Sequence, residues 1–148
     1  MAQTTFSGPL QSGDRPAGYP GGPNIGQVYL SQTFLINRDA TLVQTGSIIL
    51  PVNSQIVEIY ADTLTPYDSA TSATLTFGSA AGGTQYVTSV NAKTGGRNTT
   101  AHTAAQCAAM ANIGTNTTFF GTVTSVGQPT VGQVRVTVQY VQTQSSTD

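Results

Sequence analysis

His102 and Cys107 form the first pair of side chains in this sequence whose types and spacing suggest chemistry. A thiol close to an imidazole can act as a nucleophile with its base. Five residues on a helix turn two side chains away from each other, however, and no acidic or amide group that would orient the imidazole is identifiable. We therefore interpret Cys107 as a small packing residue and predict that the protein is not an enzyme.

Three carboxylates form a second group. Glu58 and Asp62 fall on the same face of a predicted strand, and Asp68 follows in the next loop, so together they offer oxygen ligands to calcium. The sequence has no aspartate-rich calcium loop, and a single His and a single Cys give no zinc spacing. We interpret the three as solvent-facing carboxylates and predict no metal and no other cofactor.

Tyr19, Tyr67 and Tyr86 are the aromatic side chains that would stack on sugars if they were exposed. Six tyrosines without a tryptophan are a weak carbohydrate signal. Packing in a core or an interface is the preferred interpretation, and sugar binding remains an alternative.

The composition indicates which elements carry these residues. Charged residues make up 7% of the chain, against about 25% in ordinary soluble proteins. Lys and Glu, which commonly cover helices, occur once each, whereas β-branched Thr is abundant. This composition favours an all-β fold.

The charge and hydropathy patterns exclude two kinds of partner. The five basic residues are spread along a chain of net charge -1 and form no stripe that would neutralise phosphates, so we expect no nucleic acid. No run of 18 apolar residues exists, and the first residues lack the pattern of a signal peptide. We expect no membrane partner and synthesis in the cytosol.

Alternating apolar and polar residues predict seven or eight strands joined by Gly, Pro and Asn turns, with one short helix over 101–112. In the clearest strand the alternate residues from Val134 to Tyr140 are apolar, and in another Val57, Ile59 and Ala61 are predicted to face the core. Such spacing indicates an antiparallel β-sandwich or jelly roll. The predicted strands are 28–36, 41–52 as one strand or two, 55–63, 73–77, 85–91, 117–126 and 133–143.

Residues 1–27 differ from the rest of the chain. They contain six of its 16 glycines and four of its seven prolines, a fraction at which a segment does not pack a core of its own. We predict an extended N-terminal arm over 1–27, a β-sandwich body over 28–143 and a flexible tail over 144–148. Apolar and proline side chains in the arm are the predicted anchors on a partner: Phe6, Pro9, Leu10, Tyr19 and Pro20.

The phrase AQTTFSGPLQSG at residues 2–13, the Gly- and Pro-rich arm, and a low-charge body ending in VRVTVQYVQ resemble the capsid decoration, or cement, proteins of tailed bacteriophages. The resemblance lies in these phrases and in the composition of the whole chain. It implies a virion protein, made in the host cytoplasm, that sits on the capsid surface as a homotrimer. Its partner would be the major capsid protein, across neighbouring copies of which the arm lies. The family has no catalytic or metal motif to carry over.

Two alternatives stay open. The first is a tail or fibre module that binds a host-surface glycan through loops at one end of the sandwich. The second is a structural subunit of a head or tail, because arms organise rings in such assemblies.

Overall fold

The computed structural model of the protein describes residues 29–98 and 102–142. The arm and tail boundaries that the sequence predicts, 27/28 and 143/144, lie outside these ranges. Within them the chain forms eight strands and one helix, which confirms an all-β fold with one short helix. In chain order the elements are β1 (Tyr29–Asn37), β2 (Val43–Leu50), β3 (Ser54–Thr65), β4 (Ser72–Gly78), β5 (Val87–Asn91), β6 (Gly96–Asn98), α1 (Ala104–Ala111), β7 (Thr117–Val126) and β8 (Gln133–Gln142).

The strands form two antiparallel four-stranded sheets, in the orders β1-β8-β3-β6 and β2-β7-β4-β5. The first strand pairs with the eighth, the second with the seventh, the third with the sixth and the fourth with the fifth. This nesting of pairs is the topology of a jelly roll. The predicted β-sandwich or jelly roll is therefore confirmed in its more specific form.

The core between the sheets is built from alternate residues of the strands. Val134, Val136 and Val138 of β8 are fully buried, as the apolar stripe predicts. Phe119 of β7 stacks between Phe77 and Tyr86, with ring centroids 5.6 and 5.4 Å away. Such contacts add to the hydrophobic gain from burying these large rings.

The prediction for β3 was wrong at one position. Val57 is 40% exposed, and Ile56 is buried in its place. The cause is a β-bulge against β8, where the register shifts between Ile56 and Glu58, so that Val57 is an extra residue. Because side chains alternate along a strand, one extra residue exchanges the faces, and after it Ile59 and Ala61 face the core as predicted.

The helix is shorter than the 101–112 that the sequence predicts. A capping box fixes its start, because the Thr103 hydroxyl accepts from the Gln106 N–H and the Gln106 side chain accepts from the Thr103 N–H. Asn112 is already extended at the other end. Among the described residues, no helix is long and apolar enough to cross a membrane.

Two further observations concern strands. Residues 43–50 form a single strand that runs through Gly46. A Cβ at Gly46 would lie only 2.5 Å from the Phe34 ring of the other sheet, which is too close. Glycine has a hydrogen there instead, so the two sheets can approach closely at this point. The segment between the predicted strand 85–91 and the predicted helix contains a further, three-residue strand, β6.

Candidate functional site

The charged residues of the body are concentrated on one surface. Glu58, Asp62, Arg97 and Arg135 all lie on the outer face of β1-β8-β3-β6, which we call the charged face. They are four of the eight charged residues in the described part of the chain. The other four lie in loops between strands.

Asp62 is the centre of this charged face. Its carboxylate accepts hydrogen bonds from Arg97 Nε at 2.8 Å, Arg97 Nη2 at 3.1 Å and Arg135 Nη2 at 3.1 Å. The Arg97 guanidinium also lies 4.5 Å from the centre of the Tyr60 ring, at a distance where cation–π attraction acts. The pairing of β3 with β6 and β8 places Arg97 and Arg135 opposite Asp62.

These contacts determine the protonation of the cluster. The hydrogen bonds from Arg97, more than any other cause, lower the pKa of Asp62, and the same contact raises the pKa of Arg97. The cluster therefore carries one net positive charge at neutral pH. Both arginine side chains are about half exposed, and guanidinium groups are well suited to bind a partner's carboxylate.

The other sheet presents a surface without charge. The outward residues of β2, β7 and β4 are Thr, Ser and a few apolar residues, and we call this surface the neutral face. The Gly82 N–H donates to Thr122 Oγ1 at 2.9 Å, which places the β4–β5 loop over part of it. The residues of the neutral face are Val43, Thr45, Ser47, Ile49, Thr118, Phe120, Thr122, Thr124, Val126, Ser72, Thr74 and Thr76.

The edge strands β1 and β2 lie together on what we call the open side. They have nine and eight residues, contain no charged residue and no proline, and pair with their neighbours without a register shift. Gln32 closes the gap between the two sheets, because its Nε2 donates to the Ile49 carbonyl and the Tyr140 hydroxyl, both at 3.0 Å. Gln32 is the polar residue among the inward-facing side chains of β1, and it joins the two sheets.

The edge strands β5 and β6 form the opposite, closed side. They have five and three residues, and β5 pairs with β4 across an irregularity between Leu75 and Phe77. The side chain of Asn98 binds the backbone carbonyls of Thr94 and Gly96. Gln106 of α1 donates to Thr88 Oγ1 at 2.9 Å, so the helix packs beside β5.

Loops at one end of the sandwich are tied to each other. Asp68 accepts from the Thr130 N–H at 2.6 Å, from its hydroxyl and from the Val131 N–H, and these bonds lower the pKa of Asp68. Arg38 donates from Nε to the Pro129 carbonyl at 2.8 Å. These hydrogen bonds hold the two loops against each other.

The three carboxylates considered as possible metal ligands each have a separate partner. Asp62 is engaged by two arginines and Asp68 by a neighbouring loop, while Glu58 accepts from the adjacent Ile59 N–H at 3.2 Å. Within residues 29–98 and 102–142, no three His, Cys, Asp or Glu side chains come together to hold a metal.

The two side chains considered as a catalytic pair, His102 and Cys107, have different surroundings. His102 Nδ1 lies 3.2 Å from the Tyr86 carbonyl, and Cys107 is exposed on α1 rather than packed as the sequence suggested. The prediction of a buried cysteine was wrong, because the helix buries Gln106 and Met110 instead.

The tyrosines considered for sugar stacking are in the core where the structure describes them. Tyr67 is 1% exposed and Tyr86 is 5% exposed. Burial raises the pKa of Tyr67 to about 12 and raises that of Tyr86. Neither ring is available to a glycan. Tyr19 and the other predicted arm anchors, Phe6, Pro9, Leu10 and Pro20, lie outside the described residues.

Sequence reasoning missed the cluster around Asp62 and the open side. The outward position of Asp62 was predicted, but its contact with Arg97 depends on which strands pair. The open side had a readable signal, since VQTGSIIL contains no charge, proline or predicted bulge to protect an edge.

Comparison with known protein families gives no match, and no characterised protein matches the sequence. In fold, the chain is similar to a chain of the "Cyanophage Pam1 capsid asymmetric unit", with a TM-score of 0.55 and 16% sequence identity. The similarity covers 90% of this chain and 100% of that chain. At this identity the comparison shows a shared fold.

Proposed function

We propose that this protein is a structural component of a bacteriophage virion that decorates the capsid and stabilises it by binding across neighbouring major capsid proteins. The observation that carries the proposal is the similarity in fold, over 90% of this chain, to a chain of a cyanophage capsid asymmetric unit. The N-terminal phrase and the low-charge composition, which resemble those of decoration proteins, also support it.

The surfaces of the body support a binding role. The neutral face and the open side expose Thr, Ser and apolar groups, and the exposed fractions of Val43, Ile49 and Val126 are 50%, 64% and 53%. Apolar side chains exposed in one region are typical of surfaces that a partner covers. We propose that the bodies assemble as homotrimers on the outside of the shell.

The N-terminal arm is the second binding element of the proposal. Extended as polyproline-like chain, 27 residues reach about 80 Å, enough to span neighbouring capsid subunits. Phe6, Pro9, Leu10, Tyr19 and Pro20 are the proposed anchors. Trimerisation would raise the effective concentration of each arm at its site, so that moderate contacts hold the body firmly.

A glycan-binding tail or fibre module is less well supported. Tyr67 and Tyr86, two of the three rings considered for sugars, are buried in the core. The loops at the end that contains Asp68 are held together by hydrogen bonds. A head or tail subunit in another position remains the alternative that the same experiment resolves.

The test is the composition of virions from the phage that encodes this chain. Quantitative mass spectrometry should find the chain in a fixed ratio to the major capsid protein, and cryo-electron microscopy should place its jelly roll outside the shell. A location confined to the tail, or absence from the virion, contradicts the proposal.

The contribution of the arm is tested by binding to heads that lack the protein. Deleting residues 1–26 should leave the melting temperature of the body unchanged and strongly reduce retention on heads during dilution. The full-length triple variant Phe6→Ser, Leu10→Ser and Tyr19→Ser should behave similarly. The matched control is Gln3→Ser, Gln11→Ser and Asn24→Ser, which should stay bound. A truncated body that melts early contradicts the division at Gln27.

A further inference from the structure

The backbone of β2 has hydrogen-bonding groups directed away from its sheet. The Leu42 carbonyl accepts from the Ser125 N–H of β7, so even-numbered residues of this segment bond to β7. In an antiparallel ladder the intervening residues then point their N–H and C=O groups away from the paired strand, which here is β7. These residues are Val43, Thr45, Ser47 and Ile49.

The outward carbonyls of Val43 and Ile49 already lie against side chains. The Ile49 carbonyl accepts from Gln32 Nε2 at 3.0 Å, and the Val43 carbonyl lies 2.8 Å from Thr41 Oγ1, whose single proton is shared with the Asp39 carboxylate at 2.6 Å. Within the described part of the chain, the N–H and C=O groups of Thr45 and Ser47 have no partner. The centre of β2 thus presents two donors and two acceptors to one side.

We propose that β2 pairs antiparallel with β2 of a second copy of this chain, about a two-fold axis at Gly46. In this register Thr45 lies opposite Ser47 of the other copy and exchanges two hydrogen bonds with it. The symmetric pair exchanges two more, so all four backbone groups of Thr45 and Ser47 in each copy are used. The two β2-containing sheets join into one eight-stranded sheet.

The side chains of β2 fit this self-pairing. Val43 comes opposite Ile49 of the other copy, and these β-branched residues are 50% and 64% exposed in the single chain. Cross-strand apolar pairs of this kind stabilise sheets. The neutral face has no charged residue, so joining two such sheets brings no like charges together.

The neighbouring edge strand β1 is less suited to the same contact. A two-fold axis at Thr33 would place Tyr29 opposite Asn37 and Ser31 opposite Leu35, which pairs apolar residues with polar ones. The β2 contact joins two bodies directly without the arm. It is distinct from the trimer and capsid contacts of the proposed function.

The proposal is tested with a proline at the edge. Ser47→Pro removes an outward N–H, and edge strands tolerate proline there because no bond to the adjacent strand is lost. The matched control is Ser31→Pro, at an exposed outward position of β1. Sedimentation equilibrium of the full chain should show an even number of copies for the natural sequence and for Ser31→Pro. Ser47→Pro should halve that mass, because the pairing becomes at least about thirtyfold weaker.

The register is tested separately with charges. Residue 45 of one copy faces residue 47 of the other, so the double variant Thr45→Lys, Ser47→Lys should dissociate. The variant Thr45→Glu, Ser47→Lys should associate again, since opposite charges then face each other. All variants should keep the circular dichroism spectrum of the natural chain. A monomeric natural chain, an odd-numbered assembly unaffected by Ser47→Pro, or equal effects of both prolines would overturn the proposal.

Discussion

The open and closed sides of the sandwich differ in how their edge strands are protected from pairing with another chain. The closed side has short strands, an irregular pairing, Arg97 and an adjacent helix. The open side has two long, regular and uncharged strands. Natural proteins usually protect edges with charge, proline, bulges or short strands. A side that lacks all of these devices is the side where we expect a partner.

The difference does not come from weaker anchoring of the open side. β1 and β2 are bonded along their length to β8 and β7, whose central inward residues are fully buried. The same chain therefore contains strong internal pairing and an unprotected edge next to it. This combination suits a rigid surface that binds without refolding.

The largest effect should come from breaking the core behind the open side. Val136 of β8 lies opposite Phe34 of β1 and is fully buried. Val136→Asp should destabilise the fold by more than about 4 kcal/mol, because an unpaired carboxylate is buried. The neighbouring Arg135→Ala should cost about 1 kcal/mol or less, since its ion pair is half exposed. Thermal unfolding compares them, and equal melting temperatures would contradict the assigned facing of β8.

A smaller effect should follow from breaking the charged cluster beside the closed side. Asp62→Asn should destabilise the fold by about 1–3 kcal/mol, because hydrogen bonds from Arg97 and Arg135 lose their charged acceptor. Glu58→Gln is the matched control on the same strand, and denaturant unfolding should find it within about 0.5 kcal/mol of the natural chain. If Glu58→Gln lowered the free energy of unfolding as much as Asp62→Asn, the central role of Asp62 would be refuted.

The cluster also predicts a pH dependence. The pKa of Asp62 is lowered in the folded protein, so its contribution to stability is present above the unfolded carboxyl pKa of about 4. That contribution is lost as the pH falls through the lower folded pKa. Unfolding free energies should therefore converge for the natural chain and Asp62→Asn at acid pH. A constant difference between them down to pH about 2 would contradict this assignment.

The sequence predicted much of the fold because alternation is a local property. The β8 stripe from Val134 to Tyr140 and the strand 117–126 agree with the structure. Val57 was misplaced because a bulge depends on the partner strand, and nothing in the β3 sequence alone marks it. The helix began later than its alanines suggest because Thr103 and Gln106 cap it.

The candidate surfaces were less predictable than the strands. The contact of Asp62 with Arg97 spans 35 residues, and that with Arg135 spans 73. Both need the strand order β8-β3-β6, which periodicity does not supply. The open side depends likewise on which strands end up at the edges, although the uncharged sequence of β2 was visible from the start.

The smallest effect that we predict is the response of self-association to salt. No charged residue lies on β2 or on the neutral face. The proposed pairing therefore contains no interaction between charged side chains that salt would screen. Raising NaCl from about 0.1 M to about 1 M shortens the Debye length from about 10 Å to about 3 Å. The dissociation constant of the full chain, measured by sedimentation, should change by less than about twofold over this range. The charged face gives the opposite expectation, because a contact made through Arg97 and Arg135 would weaken strongly as salt screens it. If salt dissociated the pairs and Arg97→Gln did so as well, the charged face would be the interface and the open side would lose its assigned role.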